Sequence, residues 1–154
     1  MRKRRKLALL LVIVVLIILQ FFQPEKNQGN ITQEGDLLLV SVVPDSLAAI
    51  LINSCYDCHS NHTEYPWYSR ISPVSWYLQK HVRDGKEDLN LSEFGNLSKA
   101  EKIGALSDVY EALEASNMPL QSYILIHKDA RMSQDEIDAL MVWADQESLS
   151  LMKK

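Results

Sequence analysis

The chain has 154 residues, enough for one domain with an appended segment, and 16 Lys+Arg against 20 Asp+Glu give it a formal net charge of −4. Five of the positive charges lie in residues 2–6, which leaves 11 against 20 in the remainder, a balance that repels phosphate and argues against nucleic acid as a partner. Two cysteines are too few for a disulfide-stapled scaffold, and 47% hydrophobic residues are too many for a disordered chain.

Residues 1–22 read as a basic stretch, Arg2-Lys3-Arg4-Arg5-Lys6, followed by an apolar run. Fifteen of the sixteen residues from Leu7 to Phe22 are apolar, Gln20 being the exception. As a helix that run is about 24 Å long, short of a hydrocarbon core of about 30 Å, a deficit that snorkelling Arg and Lys can absorb. No small-x-small cleavage site follows. The expectation is an uncleaved signal anchor, with a cleaved leader or a buried core helix as the alternatives. The bases would hold the N-terminus in the cytoplasm, giving a single-pass protein of the inner membrane whose domain faces the periplasm. Residues 23–36, polar with Gly and Pro, predict a flexible tether, and residues 37–154 the domain. Within it, Leu37–Val43 predicts a short strand or an extended lead-in.

From residue 44 the punctuation is helical. Pro44-Asp45-Ser46 opens a helix through Leu47, Ile50 and Leu51 that runs into Cys55. Ser72-Pro73 opens another, with Val74, Tyr77, Leu78, His81 and Val82 on one face and Gly85 at the C-terminal glycine position. Ser98-Lys-Ala-Glu101 and Ser133-Gln-Asp-Glu136 are capping boxes. The first starts a helix to about Ala115. The second starts a terminal helix with Ile137, Leu140, Met141 and Ala144 on one stripe. A shorter helix falls near residues 120–128, with loops at 60–71 and 86–97. No alternating strands stand out, so the domain reads as all-α.

Cys55-Tyr56-Asp57-Cys58-His59 carries the chemistry. Two thiols three positions apart with His directly after match covalent haem attachment, both sulfurs reaching one edge of a macrocycle and His59 its iron. A redox dithiol would sit at a helix N-terminus beside a strand, and a zinc site would need a distant fourth ligand. Candidates for a sixth iron ligand are Met118, His62, His81, His127, Met132 and Met141. Met118 is preferred because Pro119 forces it into extended backbone, from which a thioether can reach over the haem, 59 residues beyond His59. His81 can instead bond a propionate, and the carbonyl of Pro66 or Pro73 can accept the proximal imidazole N–H. Tyr56, Tyr65, Trp67, Tyr68, Trp76 and Tyr77 are expected to form the core or line the crevice.

Cys55–Tyr68 reads Cys-Tyr-Asp-Cys-His-Ser-Asn-His-Thr-Glu-Tyr-Pro-Trp-Tyr. Ile71-Ser-Pro-Val-Ser-Trp76, His81-Val-Arg-Asp-Gly85, Leu89-Asn-Leu-Ser92, Met118-Pro119-Leu120, Tyr123 and His127 follow it. Together these resemble the bacterial haem-binding domain family of the cytochrome c superfamily, over roughly residues 40–146. The family's usual Gly-Arg and Phe-Ser-Glu-Trp are here Gly85-Lys86 and Leu91-Ser92-Glu93-Phe94. The resemblance implies a compact cytochrome c-like helical fold around one covalent haem c. Cys55 and Cys58 would form thioethers, with His59 as proximal and Met118 as distal ligand. The expected role is single-electron transfer, not catalysis. The expected partner is a membrane-associated redox protein with a basic docking patch. The alternatives are a gas-binding sensor with a displaceable sixth ligand, or a small peroxidase.

Overall fold

The computed structural model describes residues 2–30 and 34–153. Its spine is an unbroken helical rod made of α3 (Asp45–Leu51), a widened π-helical turn (Ile52–Tyr56) and α4 (Asp57–His59). Leu47 and Leu51 face inward from its first turns. Wide turns of this kind shift the register of the side chains that follow them, and Cys55 lies inside it. The rod stops where Ser60 turns extended. Its Oγ then donates to the His62 carbonyl at 2.7 Å.

Packed against α4 is α5 (Val74–Asp88). Gly85, expected at the helix C-terminus, lies inside α5, which continues to Asp88. Its role is close approach, because a Cβ there would lie 3.0 Å from the Cys58 carbonyl oxygen and 3.2 Å from the Cys58 Cβ. The inward face of α5 is Ser75, Val82 and Gly85. Val74 and Tyr77, expected on that face, are exposed.

Two capping boxes start the remaining long helices, as the sequence predicts. Ser98 and Glu101 exchange hydrogen bonds at the head of α6 (Lys99–Glu114). Ser133 and Glu136 do the same before the helix Gln134–Lys153. In both boxes the bonds to serine hold the glutamate carboxyl below the usual carboxylate range. Between them lies one helical turn, α7 (Gln121–Ile124), shorter than expected, so the terminal helix is α8. α6 lies along α8, and their leucines meet the rod. Leu140 and Ala144 are fully buried, as the stripe predicts.

α6 ends in a left-handed turn. Asn117 N donates to Ala112 O and Ser116 N to Leu113 O, with Ser116 at φ 55°. This is the glycine position of a Schellman ending, occupied by serine. Leu37–Val43, expected as extended chain, instead begins with a helical turn, α2 (Leu37–Val40), which Asp36 caps by accepting from Leu38 N. Short 3₁₀ turns at Trp67–Arg70, Leu91–Asn96 and Lys128–Ala130 complete the domain. Among the described residues the only β pairing is an isolated bridge between Gln28 and His62.

The N-terminal segment departs from expectation. α1 (Arg2–Leu19) holds five bases and only 13 consecutive apolar residues, about 20 Å of helix. Among the described residues no helix is long and apolar enough to cross a membrane. The chain past α1, expected as a flexible tether, lies against the domain. Gln20 pairs with the backbone of Ser72 in both directions at 3.0 Å. Asn27 Nδ2 donates to Ser60 O and Thr63 Oγ1, both at 2.9 Å, and Gly29 N donates to Asn61 O at 2.7 Å. Ile31, Thr32 and Gln33, in the middle of the expected tether, lie outside the described residues.

Two substitutions test this packing. A left-handed non-glycine residue costs about 1–2 kcal/mol, part of which is offset by glycine's freedom in the unfolded chain. Ser116→Gly should therefore raise stability by about 0.5–1 kcal/mol, read as a higher thermal midpoint. Gly85→Ala should lower it by about 1–3 kcal/mol by forcing α5 from Cys58. Gly104→Ala, where nothing lies within 4 Å of the added Cβ, should leave the denaturation midpoint equal or higher.

Candidate functional site

The motif helix has two faces. Tyr56 and Asp57, the residues between the cysteines, point outward and are tied down. Tyr56 OH donates to Asp36 Oδ1 at 2.8 Å. The Asp57 carboxylate accepts from Tyr123 OH at 2.7 Å and Glu64 N at 2.9 Å, and its carbonyl accepts from Thr63 Oγ1 at 2.7 Å. Desolvation, with a carboxylate acceptor on each, pushes both phenols well above their ordinary range, so they stay neutral donors. With that face fixed, Cys55, Cys58 and His59 turn inward.

Inward lies a hollow in the core. One part, about 360 Å³, is lined by Cys55, His59 and Met118 among the aliphatic side chains of the rod, α6 and α8, with Phe94 and Trp143. A second part, about 150 Å³, is lined by Cys58, His59, His81, Met118 and Tyr123. Ser54, His59, Asp88 and Met118 border both parts. Each thiol therefore opens onto one part, while the imidazole and the thioether border both.

His59 Nδ1 lies 3.0 Å from the Leu89 carbonyl oxygen. A carbonyl only accepts, so Nδ1 carries the proton and the Nε2 lone pair is left for a metal. The acceptor is thus Leu89, where the sequence pointed to Pro66 or Pro73. Those two carbonyls are engaged in starting a turn and α5. Met118 reaches the hollow because the left-handed ending of α6 turns the chain back beside it. His81 lines the smaller part, with Nδ1 2.8 Å from the Tyr77 carbonyl.

The other candidate ligands lie elsewhere. His62 bonds the Gly29 carbonyl at 3.2 Å. His127 lies 2.6 Å from Tyr68 OH and stacks on Tyr123. Both line a separate cavity of about 660 Å³ behind the motif, with Asp36, Asp57, Glu64 and Asp129. That cavity is larger than either part of the hollow, but no thiol borders it. Met132 and Met141 pack on the core. The expected aromatics are absent from the hollow, and Trp67, Trp76 and Tyr77 are exposed.

A redox dithiol needs a thiolate. Burial, with the neighbouring Cys58, pushes the Cys55 thiol up to about 12, and burial pushes Cys58 up to about 11. These are inert thiols at neutral pH. Among the described residues no group of three or more His, Cys, Asp or Glu side chains can hold a metal ion, which argues against zinc.

A family model described as a haem-binding domain matches residues 14–146. The chain belongs to that family. The match begins inside α1, so the docked segment after Leu19 is part of what the haem-binding domain shares. No curated protein and no solved structure matches the chain.

The residues fit haem on their own evidence. An apolar hollow of about 360 Å³ leaves its lining side chains without packing partners when no ligand fills it, a cost that grows with its volume. A flat apolar ligand removes that cost, and an imidazole with a free Nε2 meets it at the hollow's edge. The haem-binding domain made without haem should therefore lose its cooperative thermal transition and near-UV circular dichroism while keeping helical far-UV signal. A sharp transition in the haem-free protein would show that the core closes without the ligand.

Proposed function

We propose that the protein is a monohaem c-type cytochrome that carries single electrons in the exported compartment. The observation that carries this reading is the convergence of both thiols, His59 and Met118 on one apolar hollow. In it Cys55 and Cys58 would hold haem through thioethers, and His59 Nε2 and the Met118 sulfur would ligate its iron. Haem bound there supplies an iron that exchanges one electron, and His/Met ligation favours the reduced state more than two imidazoles would. The Leu89 carbonyl fixes the His59 ring, and the leucines of α6 and α8 exclude water. No residue is assigned a catalytic role, because His59 and Met118 would both be engaged by the iron.

The basic and apolar N-terminus supports export. The body's 20 acidic against 11 basic residues support a redox partner with a basic docking patch, bound more weakly as salt rises.

Met118→Ala tests the ligation. The variant should still retain its haem through acid–acetone extraction. It should lose the ferric sulfur-to-iron band and bind carbon monoxide and imidazole rapidly. A spectrum identical to wild type would remove Met118 from the iron. Cys58→Ser separates attachment from binding: it should release haem on extraction, and release by the wild-type chain would defeat the covalent reading.

A second reading, a small peroxidase, is favoured by one observation: His81 lines the same part of the hollow as Met118. There it would act as a distal acid–base group over an open iron. A high-spin ferric spectrum in the wild-type chain would support that reading against electron transfer.

A further inference from the structure

Seven large apolar side chains are exposed in two segments, just beyond the end of α1 and around the start of α5. Phe21 is 83% exposed, Trp67 76%, Phe22 64% and Tyr77 56%, with Ile71, Val74 and Trp76 also exposed. Four are spaced along the start of α5 and its approach, and Trp67 opens the 3₁₀ turn packed on it. The two phenylalanines are fastened to that surface. The Trp76 indole N–H donates to the Phe22 carbonyl at 2.6 Å, and Gln23 Nε2 donates to Ser72 Oγ at 2.9 Å and the Arg70 carbonyl at 3.3 Å. With the Gln20–Ser72 pair, these bonds fix the end of α1 to the shelf. α1 itself is apolar on every side from Leu7 to Ile18, and its large side chains are exposed throughout.

We propose that this aromatic shelf seats on the surface of a zwitterionic lipid bilayer when α1 enters it. A helix apolar on all sides requires a covering of hydrocarbon or protein, and the shelf continues the same surface. The composition fits the interface, where Trp, Tyr and Phe concentrate at headgroup level. The Trp76 N–H is already bonded inside the protein, so its ring enters lipid without an unpaired donor. Length decides the geometry. About 20 Å of apolar helix is about 10 Å short of a hydrocarbon core. α1 can therefore enter the near leaflet without crossing the bilayer, and whatever is fastened to its C-terminal end is carried down to that interface. The acidic body is repelled by anionic headgroups, which selects zwitterionic lipid. His81, one turn beyond Tyr77 with its ring centroid 4.2 Å from that of Tyr77, borders the hollow, so seating the shelf would hold that edge of the hollow close to the membrane.

The experiment uses the full haem-loaded chain in phosphatidylcholine vesicles carrying a photoactivatable diazirine high on the acyl chain, with adducts mapped by mass spectrometry. Adducts on Phe21, Phe22 and the segment 67–77 should exceed those on Val142 and Met152 by about tenfold; these α8 side chains are about as exposed as Tyr77. The double variant Trp67→Ser, Tyr77→Ser should keep its haem spectrum and the α1 adducts while losing most of those on segment 67–77. Adducts confined to α1 would overturn the proposal. So would cross-links between two copies of the chain across Trp67 and Tyr77, which would make the shelf a self-association face. Neither outcome touches the haem reading, which is scored by the spectrum.

Discussion

The structure depends on a core that is apolar but not filled by its own side chains. Leu37, Leu51, Leu91, Phe94, Leu106, Leu113, Leu140 and Trp143 form the buried cluster and also wall the hollow. Packing at interior density leaves no room for a void of that size. Haem bound in the hollow would therefore couple binding to folding, and the placement of the thiols, the imidazole and the thioether is a question of how the wall is assembled.

The wall is held from outside. Tyr56 and Asp57 occupy the positions that the haem motif leaves open, and both are tied down by hydrogen bonds, Tyr56 to Asp36 and Asp57 to Glu64, Thr63 and Tyr123. Neutral phenols donating to carboxylates in a desolvated setting make directional anchors. The anchors keep the helix from rotating about its axis, a rotation that would take Cys55 and His59 out of line. Gly85 completes the constraint, because the backbone of α5 can approach Cys58 only where no Cβ intervenes.

The N-terminal segment joins the same construction. Side-chain amides of Gln20, Gln23 and Asn27 satisfy backbone groups of residues 60–72. Gly29 admits the Asn61 carbonyl where a Cβ would lie 2.8 Å away. A stretch whose polar composition looks like solvent-exposed linker is thereby part of the folded body, and α1 leaves it in a fixed direction.

Much of this was legible in the residues. Cys55, Cys58 and His59 are singled out by their spacing, and the fold brings both thiols and the imidazole to the hollow. Ser98 with Glu101 and Ser133 with Glu136 announce helix starts, because capping bonds are local. Met118 is singled out by Pro119, and it borders both parts of the hollow. Beyond such local signals the tertiary structure decided. The sequence gives no sign that the Leu89 carbonyl, 30 residues from His59, receives the imidazole proton, since every residue offers the same carbonyl. It places the aromatics in the core by their hydrophobicity, yet Trp67 and Tyr77 stand outside because aliphatic leucines fill the inner face. Local chemistry fixes which groups can bind a haem; only the meeting of distant helices fixes which side of each residue faces it.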